Sequence, residues 1–409
     1  MINKKIYSKF NLITGLIILS VLLRFVTVYF IRDLDLDNEW NVLVTNLIKY
    51  NSYSIYLFDN QPIPSVYMPP VYPFFIYIIK SITLLEGGNL INFIIFIQII
   101  LSTYSVYLFY KVNQTFFSEK LSLLNSFIFS IIPLNLYAPG QISSINLQIF
   151  FSILFLYFLF LIIRKQTNKN IILFSLFSGI LILTRGEFIA IFAIIIFYIF
   201  FKKKINLINI FKIGIIVFLV ISPYVVRNYI HFNQIFIVKS LGYNLWKGNN
   251  ELSKVEGFGE NFQKTEFKKI NSKLNNLEKN KYYEINTDNI YLDEAIYNLN
   301  NNPLRYIKLF FKKFFSYYFF DINSTYPNYY NFFHIFPVLL LSILSLPGLL
   351  LFYQEKKFEN KCLGLYLFSN IIIFSIFFIL PRYKLVILPV QIILALYFIN
   401  YILKKIKNI

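Results

Sequence analysis

The sequence is poor in the residues that form disulfides and most transition-metal sites. Its one cysteine, Cys362, excludes a disulfide within the chain and a metal site made of cysteines. Its two histidines, His231 and His334, are far apart, so the sequence contains no His-rich metal motif. We therefore expect no cofactor and no metal bound by sulfur or imidazole clusters.

Charged residues and glycine are also scarce. Charged residues make up 14% of the chain, whereas soluble domains contain about 25%. With only 13 glycines, the chain cannot be collagen-like. Hydrophobic residues reach 57%, and there are 48 phenylalanines and 32 tyrosines. This composition excludes a disordered chain and leaves too little polar surface for a soluble globule, so it predicts a polytopic membrane protein.

Basic residues outnumber acidic ones, 39 to 20, which gives a net charge of +19. In a soluble protein this excess would suggest a nucleic-acid partner. Here the basic residues stand between apolar runs, so membrane topology explains them and no nucleic acid is expected. The first apolar run, 11–31, is too long for a signal-peptide core and lacks a small-residue cleavage site. It predicts a retained first helix.

Apolar runs near the length that a bilayer core requires, about 20 residues, predict the membrane-spanning helices. The predicted spans are 11–31, 90–110, 121–137, 144–163, 171–183, 188–201, 207–227, 332–352, 361–380 and 382–402. Two further runs, 70–86 and 303–320, are predicted to lie in the membrane interface. The second places Arg305, Lys308 and Lys312 on one helix face, with Phe and Leu opposite.

The positive-inside rule fixes the predicted orientation. With the N-terminus inside and both interfacial runs outside, the inside loops collect most of the basic residues between positions 90 and 227. These are Lys111, Lys120, Arg164, Lys165, Lys169, Lys202, Lys203, Lys204 and Lys212. The sequence thus predicts an all-α, multi-pass protein of the inner (plasma) membrane, with about ten transmembrane helices (range about 10–13).

Two long segments are predicted outside the membrane. The first, 32–89, starts with acidic residues and continues as an amphipathic, interfacial helix from Trp40. The second, 228–302, is polar and mostly helical, with a helix over 286–300. We accordingly divide the chain into a transmembrane module (1–227), the external segment (228–302), and an interfacial helix with C-terminal spans (303–409).

Acidic residues and cations are predicted to meet on the external side. Asp35, Asp37 and Glu39 follow the first span, and four basic residues stand at the outer ends of other spans: Arg185, Arg227, Arg382 and Lys384. Cations can hold a lipid-linked phosphate, while a carboxylate can take a proton from an acceptor hydroxyl. The alternative is that the cations are interfacial anchors and the acids form a solvated loop.

Short motifs of this chain follow one another in an order seen in a known group of enzymes. They are Asp37-Asn38-Glu39-Trp40, Asn51-Ser52-Tyr53-Ser54, Met68-Pro69-Pro70-Val71-Tyr72-Pro73, Leu183-Thr184-Arg185-Gly186-Glu187, the stretches 223–229 and 242–250, Asn302-Pro303, and Arg382-Tyr383-Lys384. In these motifs the chain resembles the GT-C glycosyltransferases, in particular the protein O-mannosyltransferase and lipid A aminoarabinose transferase group (glycosyltransferase family 39-like).

The resemblance implies an inverting transfer of a sugar from a polyprenyl phosphate, of the undecaprenyl phosphate type in a bacterium, to an envelope acceptor at the outer, periplasmic face. The acceptor is a lipid, a glycan or a protein. The catalytic acid of the group lies about four residues before an aromatic. Asp37 lies three residues before Trp40 and Asp35 five before it, so we assign the base to Asp37, with Glu39 and Asp35 left open.

The resemblance also implies the residues that bind the substrates. The donor phosphate is assigned to Arg185, Arg227, Arg382, Lys384 and Arg24, which otherwise snorkels outwards from the first span. The substrate-binding residues are Trp40, Tyr72, Asn228, Tyr243, Asn244, Trp246, Asn249 and Tyr383. An aromatic such as Trp246 can instead anchor a loop in the membrane, and Glu187 can simply pair with Arg185.

Three alternatives stay open at this point. The alternating acids around Asp37 could supply oxygen ligands to a divalent cation such as Mn²⁺ or Mg²⁺. A transporter or flippase of lipid-linked saccharides would have charged or broken helices near the bilayer midplane and often repeated halves. Charges in this sequence lie mostly at helix ends and no repeat is evident, which counts against this alternative. A polymerase or ligase of lipid-linked saccharides would also use lipid-linked donors. Only the order of the motifs listed above distinguishes it from the sugar transferase in this sequence.

Overall fold

Long apolar helices dominate the computed structural model, which describes residues 2–36, 38–256, 266–324 and 331–407. From the N-terminus, the first module contains α1 (Ile2–Phe30), α2 (Glu39–Tyr50), β1 (Ser54–Phe58), β2 (Gln61–Pro64), α3 (Val71–Thr83), α4 (Gly87–Asn113), α5 (Glu119–Ile131), α6 (Pro133–Tyr137), α7 (Ile145–Arg164), α8 (Asn168–Thr184), α9 (Phe188–Phe201) and α10 (Leu207–Phe232). The external segment contains α11 (Leu241–Gly248), α12 (Glu266–Asn275) and α13 (Tyr283–Asn301). The remainder contains α14 (Pro303–Tyr318), α15 (Phe332–Gln354), α16 (Phe358–Ile376) and α17 (Leu388–Lys407).

Each of the ten predicted spans contains a helix, and the predicted all-α polytopic fold class is confirmed. Among the described residues, six helices are long and apolar enough to cross a bilayer: α1, α4, α7, α10, α15 and α17. Helices α8 and α9, with 17 and 14 residues, are shorter than a straight span requires.

The predicted span 121–137 is broken rather than continuous. Helices α5 and α6 meet at an angle of 63°. Pro133 causes the break, because proline lacks the backbone N–H of a helix and forces Ile132 into an extended conformation, with φ −61° and ψ 125°. The chain after the break, as far as Gly140, packs against the end of α1.

Contacts between helix ends divide the bundle into two ends. At one end, Arg164 Nε lies 3.4 Å from Glu359 Oε1. At the other end, the Ile142 N–H donates a 2.7 Å hydrogen bond to Asp33. Arg164 is the last residue of α7, whereas Ile142 precedes that helix, so the two contacts lie at opposite ends of the bundle. We call the end near Arg164, with the nine basic loop residues, the basic end. We call the end near Ile142 the first-loop end.

The predicted interfacial helix 303–320 is α14, but its faces differ from the prediction. Tyr306, Leu309 and Lys313 are buried, while the exposed face mixes apolar side chains such as Ile307 and Phe311 with lysines. The reason is that α14 packs on α16 through a face that includes the lysine at position 313. Lys313 Nζ donates hydrogen bonds to the Gly248 and Phe377 carbonyls, of 2.7 and 2.5 Å.

A β-hairpin in the first external segment was not predicted. Strands β1 and β2 pair antiparallel around Asp59 and Asn60, whose φ angles are 49° and 62°. Two residues with positive φ form the type of turn that matches the twist of a hairpin, and Asp and Asn tolerate it. The available signal was the apolar and aromatic run Ile55-Tyr56-Leu57-Phe58 before an Asp-Asn pair.

The external segment forms a small helical layer with its own core. Trp246 and Ala295 are completely buried there, together with Ile270 and Tyr291. Helix α13 covers the predicted helix 286–300, begins three residues earlier and ends before Pro303, as predicted. Asn302 then caps α14 by accepting from the Arg305 N–H, and Pro303 occupies the first helical turn.

Gly348 tests the close contact between α15 and α17. A Cβ at this position would lie 2.0 Å from the Leu394 carbonyl oxygen, so we expect Gly348→Ala to force the helices apart. The expected loss of stability is about 1–3 kcal/mol. Gly364→Ala in α16 is the control, because a Cβ there meets no neighbouring group within 4 Å. Thermal unfolding in detergent measures both; equal midpoints would contradict the contact.

Candidate active site at the first-loop end

The acidic stretch follows α1 in the sequence and leads into α2. Asn38 begins α2 as its N-cap, accepting from the Trp40 and Asn41 N–H groups at 3.1 and 3.3 Å. Glu39 is exposed in the first turn of α2. Asp37, the predicted base, lies outside the described residues, so its assignment stays a prediction.

Asp33 ties this stretch to the turn before α7. Its N–H donates to the Gly140 carbonyl at 2.9 Å, and its carboxylate accepts from Ile142. Burial raises the pKa of Asp33, while the Ile142 hydrogen bond and the nearby Arg382 act in the opposite direction. Gly140 permits this approach, since a Cβ there would lie 2.8 Å from the Ile31 carbonyl oxygen. Asp33 therefore brings Arg382 and the acidic stretch together.

Trp40 and Tyr72, two predicted substrate residues, form an edge-to-face pair with centroids 5.0 Å apart. Tyr72 is 1% exposed, and its hydroxyl donates to Gln98 Oε1 at 3.1 Å. Trp40 is half-buried. The structure thus gives Tyr72 a packing role between α3 and α4, and leaves part of the Trp40 ring accessible beside the acidic stretch.

Arg227, in α10, holds the first external segment through hydrogen bonds. Its guanidinium donates to the Ser65 carbonyl at 2.7 Å, to the Tyr53 carbonyl at 3.1 Å and to Asn228 Oδ1 at 2.8 Å. Asn228 is buried and donates to the carbonyls of Phe236 and Ile237, both at 3.0 Å. Of the five N–H donors of Arg227, these bonds use three. The predicted phosphate ligand therefore also positions the loop.

Glu284, in α13, was not predicted as a site residue, and it also holds this segment through hydrogen bonds. Its Oε2 accepts from the Ser65 hydroxyl at 2.9 Å and from the N–H groups of Val66 and Tyr67 at 2.6 and 3.0 Å. Burial raises the pKa of Glu284, and these three hydrogen bonds together with Arg227 oppose that rise. Glu284 joins α13 to the segment that follows the hairpin.

An apolar cavity of about 840 Å³ opens between the first external segment and the bundle. Apolar side chains of α3, α4, α7, α8 and α10 line its walls: Val71, Phe74, Phe75, Ile78, Ile97, Leu101, Leu147, Phe150, Phe151, Leu183 and Val220. Polar residues also belong to the lining, namely Arg227, His231, Asn51 and Ser52. The cavity thus combines a mostly apolar wall with the guanidinium of Arg227.

Arg185 and Tyr383 form a second group. Arg185 Nε lies 2.8 Å from Glu187 Oε1, which is the pairing considered from the sequence. The guanidinium also lies 4.9 Å from the centroid of the Tyr383 ring. Tyr383 is 8% exposed, and its carbonyl accepts from the Tyr317 hydroxyl at 2.9 Å. These contacts connect the end of α8 to the turn before α17.

The side chains of Arg382 and Lys384 lie in different environments. Arg382 is exposed and lies near Asp33 and Lys247. Lys384 is 4% exposed; burial lowers its pKa, while the nearby Glu256 and Asp321 oppose the shift. Of the two predicted phosphate ligands, the structure thus brings Arg382 to the acidic stretch.

The predicted residues of α11 divide into buried and accessible side chains. Trp246 is completely buried in the core of the external layer, and Asn249 is bound to the Leu245 and Ile376 carbonyls. Asn244 donates to the Ser240 carbonyl at 2.7 Å. Tyr243 is half-buried, with its ring 5.9 Å from that of Tyr67. Tyr243 is therefore the accessible aromatic of this helix.

Lys247 was missed, although it belongs to the 242–250 motif. Burial lowers its pKa to about 8; Arg382 lowers it further and Glu39 raises it. Its Nζ lies 4.4 Å from the Phe378 ring centroid. Lys247 therefore brings a second cation to the region of Glu39 and Arg382. Only the fold, which places α11 over the first loop, could show this.

Arg24 does not snorkel outwards. It is completely buried within α1, where it donates to Ser102 Oγ at 2.7 Å and to Ser20 Oγ at 2.6 Å. These bonds join α1 to α4. Its assignment to the donor phosphate stays a prediction.

Across the residues that the structure describes, no group of three His, Cys, Asp or Glu side chains could hold a metal ion. The alternating acids considered as cation ligands include Asp37, which is outside that set. Binding of Mn²⁺ or Mg²⁺ there stays an open prediction.

Comparison with known proteins places this arrangement in a family context. Residues 68–226 match the family described as dolichyl-phosphate-mannose-protein mannosyltransferase. No curated protein matches the chain in sequence. Among solved structures, the oligosaccharyltransferase AglB of Archaeoglobus fulgidus, in complex with an inhibitory peptide and a dolichol-phosphate, has a TM-score of 0.59 at 14% identity, covering 98% of this chain and 51% of that one.

Two further structures are similar. AglB tethered to an acceptor peptide has a TM-score of 0.56 at 14% identity, with 96% of this chain and 50% of that one covered. ArnT of Cupriavidus metallidurans has a TM-score of 0.48 at 11% identity, with 94% and 59% covered. The chain spans about half the length of AglB. The predicted resemblance to the GT-C glycosyltransferases and the GT-C fold are confirmed.

Glu284 allows a test of how the loop is held. Because burial raises its pKa, the folded protein favours the protonated form; the associated stability is present below the ordinary pKa of glutamate and is lost as the pH rises through the raised value. Glu284→Gln keeps an oxygen acceptor without titrating. We expect its thermal midpoint to match the wild type at acid pH and to exceed it at alkaline pH.

The matched variant is Glu284→Ala, which leaves the three donors of residues 65–67 without their acceptor. We expect it to be less stable than the wild type by about 1–3 kcal/mol at every pH. A wild-type midpoint above that of Glu284→Gln at alkaline pH would show that burial is not the dominant effect on this carboxyl group.

Proposed function

We propose that this GT-C protein is a glycosyltransferase that moves a sugar from a polyprenyl-phosphate donor to an envelope acceptor, with inversion at the anomeric carbon. The single observation that carries the proposal is the apolar cavity, whose lining includes Arg227 and His231 together with residues 51–53 of the first external segment. The match to a mannosyltransferase family and the fold shared with AglB support the same chemistry.

The cavity fits the two parts of a lipid-linked donor. A polyprenyl chain is apolar and buries its surface against walls such as Phe75, Leu101 and Phe150. A phosphate needs cations, and Arg227 retains N–H donors beyond the three used on the loop. AglB has been solved with a dolichol-phosphate, a lipid of the same chemical type.

Asp37 is the proposed general base. In the sequence it lies between Leu36 and Asn38, the N-cap of α2, two residues before Glu39. Asp33 is a poorer choice, because its carboxylate is engaged by the Ile142 N–H. Glu39 and Asp35 remain the alternative bases.

The proposed reaction needs one base and a set of cations. The carboxylate takes the proton of the acceptor hydroxyl, whose oxygen attacks the anomeric carbon as the bond to the phosphate oxygen breaks. The polyprenyl phosphate leaves with its electron pair and requires no general acid. Arg382 and Lys247, near Glu39 and Asp33, support the proposal by supplying positive charge for the leaving group.

The basic end of the bundle supports the proposed orientation. Since basic loops stay on the cytoplasmic side, we place the first-loop end at the external face of the inner membrane. Substrates would then reach the site from the outer leaflet and the space beyond it. The acceptor is a lipid, a glycan or a protein.

Asp37→Asn is expected to abolish sugar transfer, with a loss of at least about 10²–10⁴-fold if only the proton transfer is removed. Expression and membrane insertion should persist. Mass spectrometry of envelope glycans and lipids, with and without the protein, measures the transfer as a mass change of one sugar unit. Asp59→Asn, at the exposed hairpin turn, is the control. Full activity of Asp37→Asn would remove Asp37 from the mechanism.

Filling the cavity tests the donor. Leu101→Trp adds bulk inside it, and we expect binding of added undecaprenyl phosphate to weaken about tenfold or more, equivalent to about 1.4 kcal/mol. Leu84→Trp, at a side chain that is 82% exposed, is the matched control. Native mass spectrometry of the purified protein measures the retained lipid. Equal retention by both variants would mean that the cavity does not hold the prenyl chain.

A further inference from the structure

Three tyrosine rings from distant parts of the chain, Tyr67, Tyr243 and Tyr291, pack together at the first loop, and Tyr56 is near enough to raise the pKa of Tyr67 and of Tyr291. Tyr56 lies in β1, Tyr67 follows β2, Tyr243 lies in α11 and Tyr291 lies in α13. The ring centroids of Tyr67 and Tyr243 are 5.9 Å apart, and those of Tyr243 and Tyr291 are 5.1 Å apart. We call these four residues the tyrosine cluster.

The hydroxyl groups of the cluster share one region with the Glu39 carboxylate. Burial raises the pKa of Tyr67, and Tyr243, Glu39, Tyr56 and Tyr291 each raise it further. The pKa of Tyr243 is likewise raised by burial and by Glu39. Tyr56 is 40% exposed, Tyr67 and Tyr243 are half-buried, and Tyr291 backs them from the core. The cluster thus offers the exposed ring of Tyr56 and the partly exposed side chains of Tyr67 and Tyr243, supported by the buried Tyr291.

The position of the cluster matches what an acceptor requires. Glu39 stands two residues after Asp37 in the sequence, and Lys247 approaches Glu39 from α11, the helix that carries Tyr243. The donor cavity contains none of the four tyrosines in its lining. A molecule held by the cluster would therefore lie near Glu39 and Lys247 without competing for the lipid cavity.

We propose that the tyrosine cluster is the acceptor site and that the acceptor is a saccharide. The proposal rests on the proposed glycosyltransferase function. A sugar ring has an apolar C–H face and a rim of hydroxyl groups. Tyrosine matches both parts, because its ring face is apolar and its hydroxyl donates and accepts hydrogen bonds.

The hairpin next to the cluster argues against a peptide acceptor bound as an added strand. Such binding uses backbone N–H and C=O groups along the edge of a sheet. Two of the four residues of β2, Pro62 and Pro64, have no N–H to donate. A lipid acceptor would need an apolar wall, whereas the cluster presents phenol hydroxyls and the charged groups Glu39 and Lys247.

Saturation-transfer NMR on the full chain in lipid nanodiscs tests the proposal. The probes are the methyl glycosides of glucose, galactose and mannose, with a Ser/Thr-containing hexapeptide as the competing class. We expect transfer to at least one glycoside in the wild type. Tyr56→Ala removes an exposed ring and Tyr67→Phe removes only a hydroxyl; each should weaken glycoside binding about fivefold.

Tyr297→Ala is the matched control, because Tyr297 lies on α13 with Tyr291 but is 54% exposed and outside the cluster. Its glycoside signal should equal that of the wild type. Absence of glycoside binding, saturation of the peptide in its place, or an unchanged signal in both cluster variants would overturn the proposal. The Leu101→Trp measurement concerns the donor lipid alone, so the proposed function and the acceptor class can fail separately.

Discussion

The segment 65–67 is held by the guanidinium of Arg227 and the carboxyl group of Glu284, and much of the first-loop end depends on these contacts. Arg227 donates to the Ser65 carbonyl, and Glu284 accepts from the Ser65 hydroxyl and from two backbone N–H groups. A buried loop without such partners would leave its backbone unpaired at a cost of about 1–3 kcal/mol per group. Arg227 also lines the apolar cavity, and Tyr67, the last residue of segment 65–67, belongs to the tyrosine cluster. The contacts of Arg227 and Glu284 therefore position both proposed substrate sites.

Long apolar runs made the bundle predictable. A hydrophobic stretch has few alternatives in a bilayer, since every backbone group must be paired within the helix. The details that failed depend on local chemistry: Pro133 breaks one span, and the Asp59-Asn60 turn forms a hairpin inside a segment interpreted only as helical and interfacial. The prediction for the faces of α14 was wrong for another reason. The helix packs against α16, and this packing decides which side chains are buried instead of a simple separation of basic and apolar residues.

The candidate site was only partly predictable, because its contacts join residues that are far apart in the chain. Motif order indicated Arg227 and Arg382, and the fold brings both to the first-loop end. Glu284 and Lys247 look like ordinary surface charges in the sequence, and their partners lie more than a hundred residues away. Burial could not be foreseen either: Trp246 and Tyr243 share one motif, yet the first is core and the second is accessible.

Helix α17 has a consequence for how the bundle assembles during synthesis. Residues 388–396 are all buried, and Gln391 donates to the Tyr318 carbonyl at 2.9 Å and to Ser342 at 3.3 Å. α17 follows in the chain every helix against which it packs. Ser342 also donates to the Tyr318 carbonyl at 2.8 Å, so α14 and α15 share one polar contact before α17 is added. Gln391 then extends this contact to the third helix, and the buried stretch of α17 can pack only after α14 and α15 have been made.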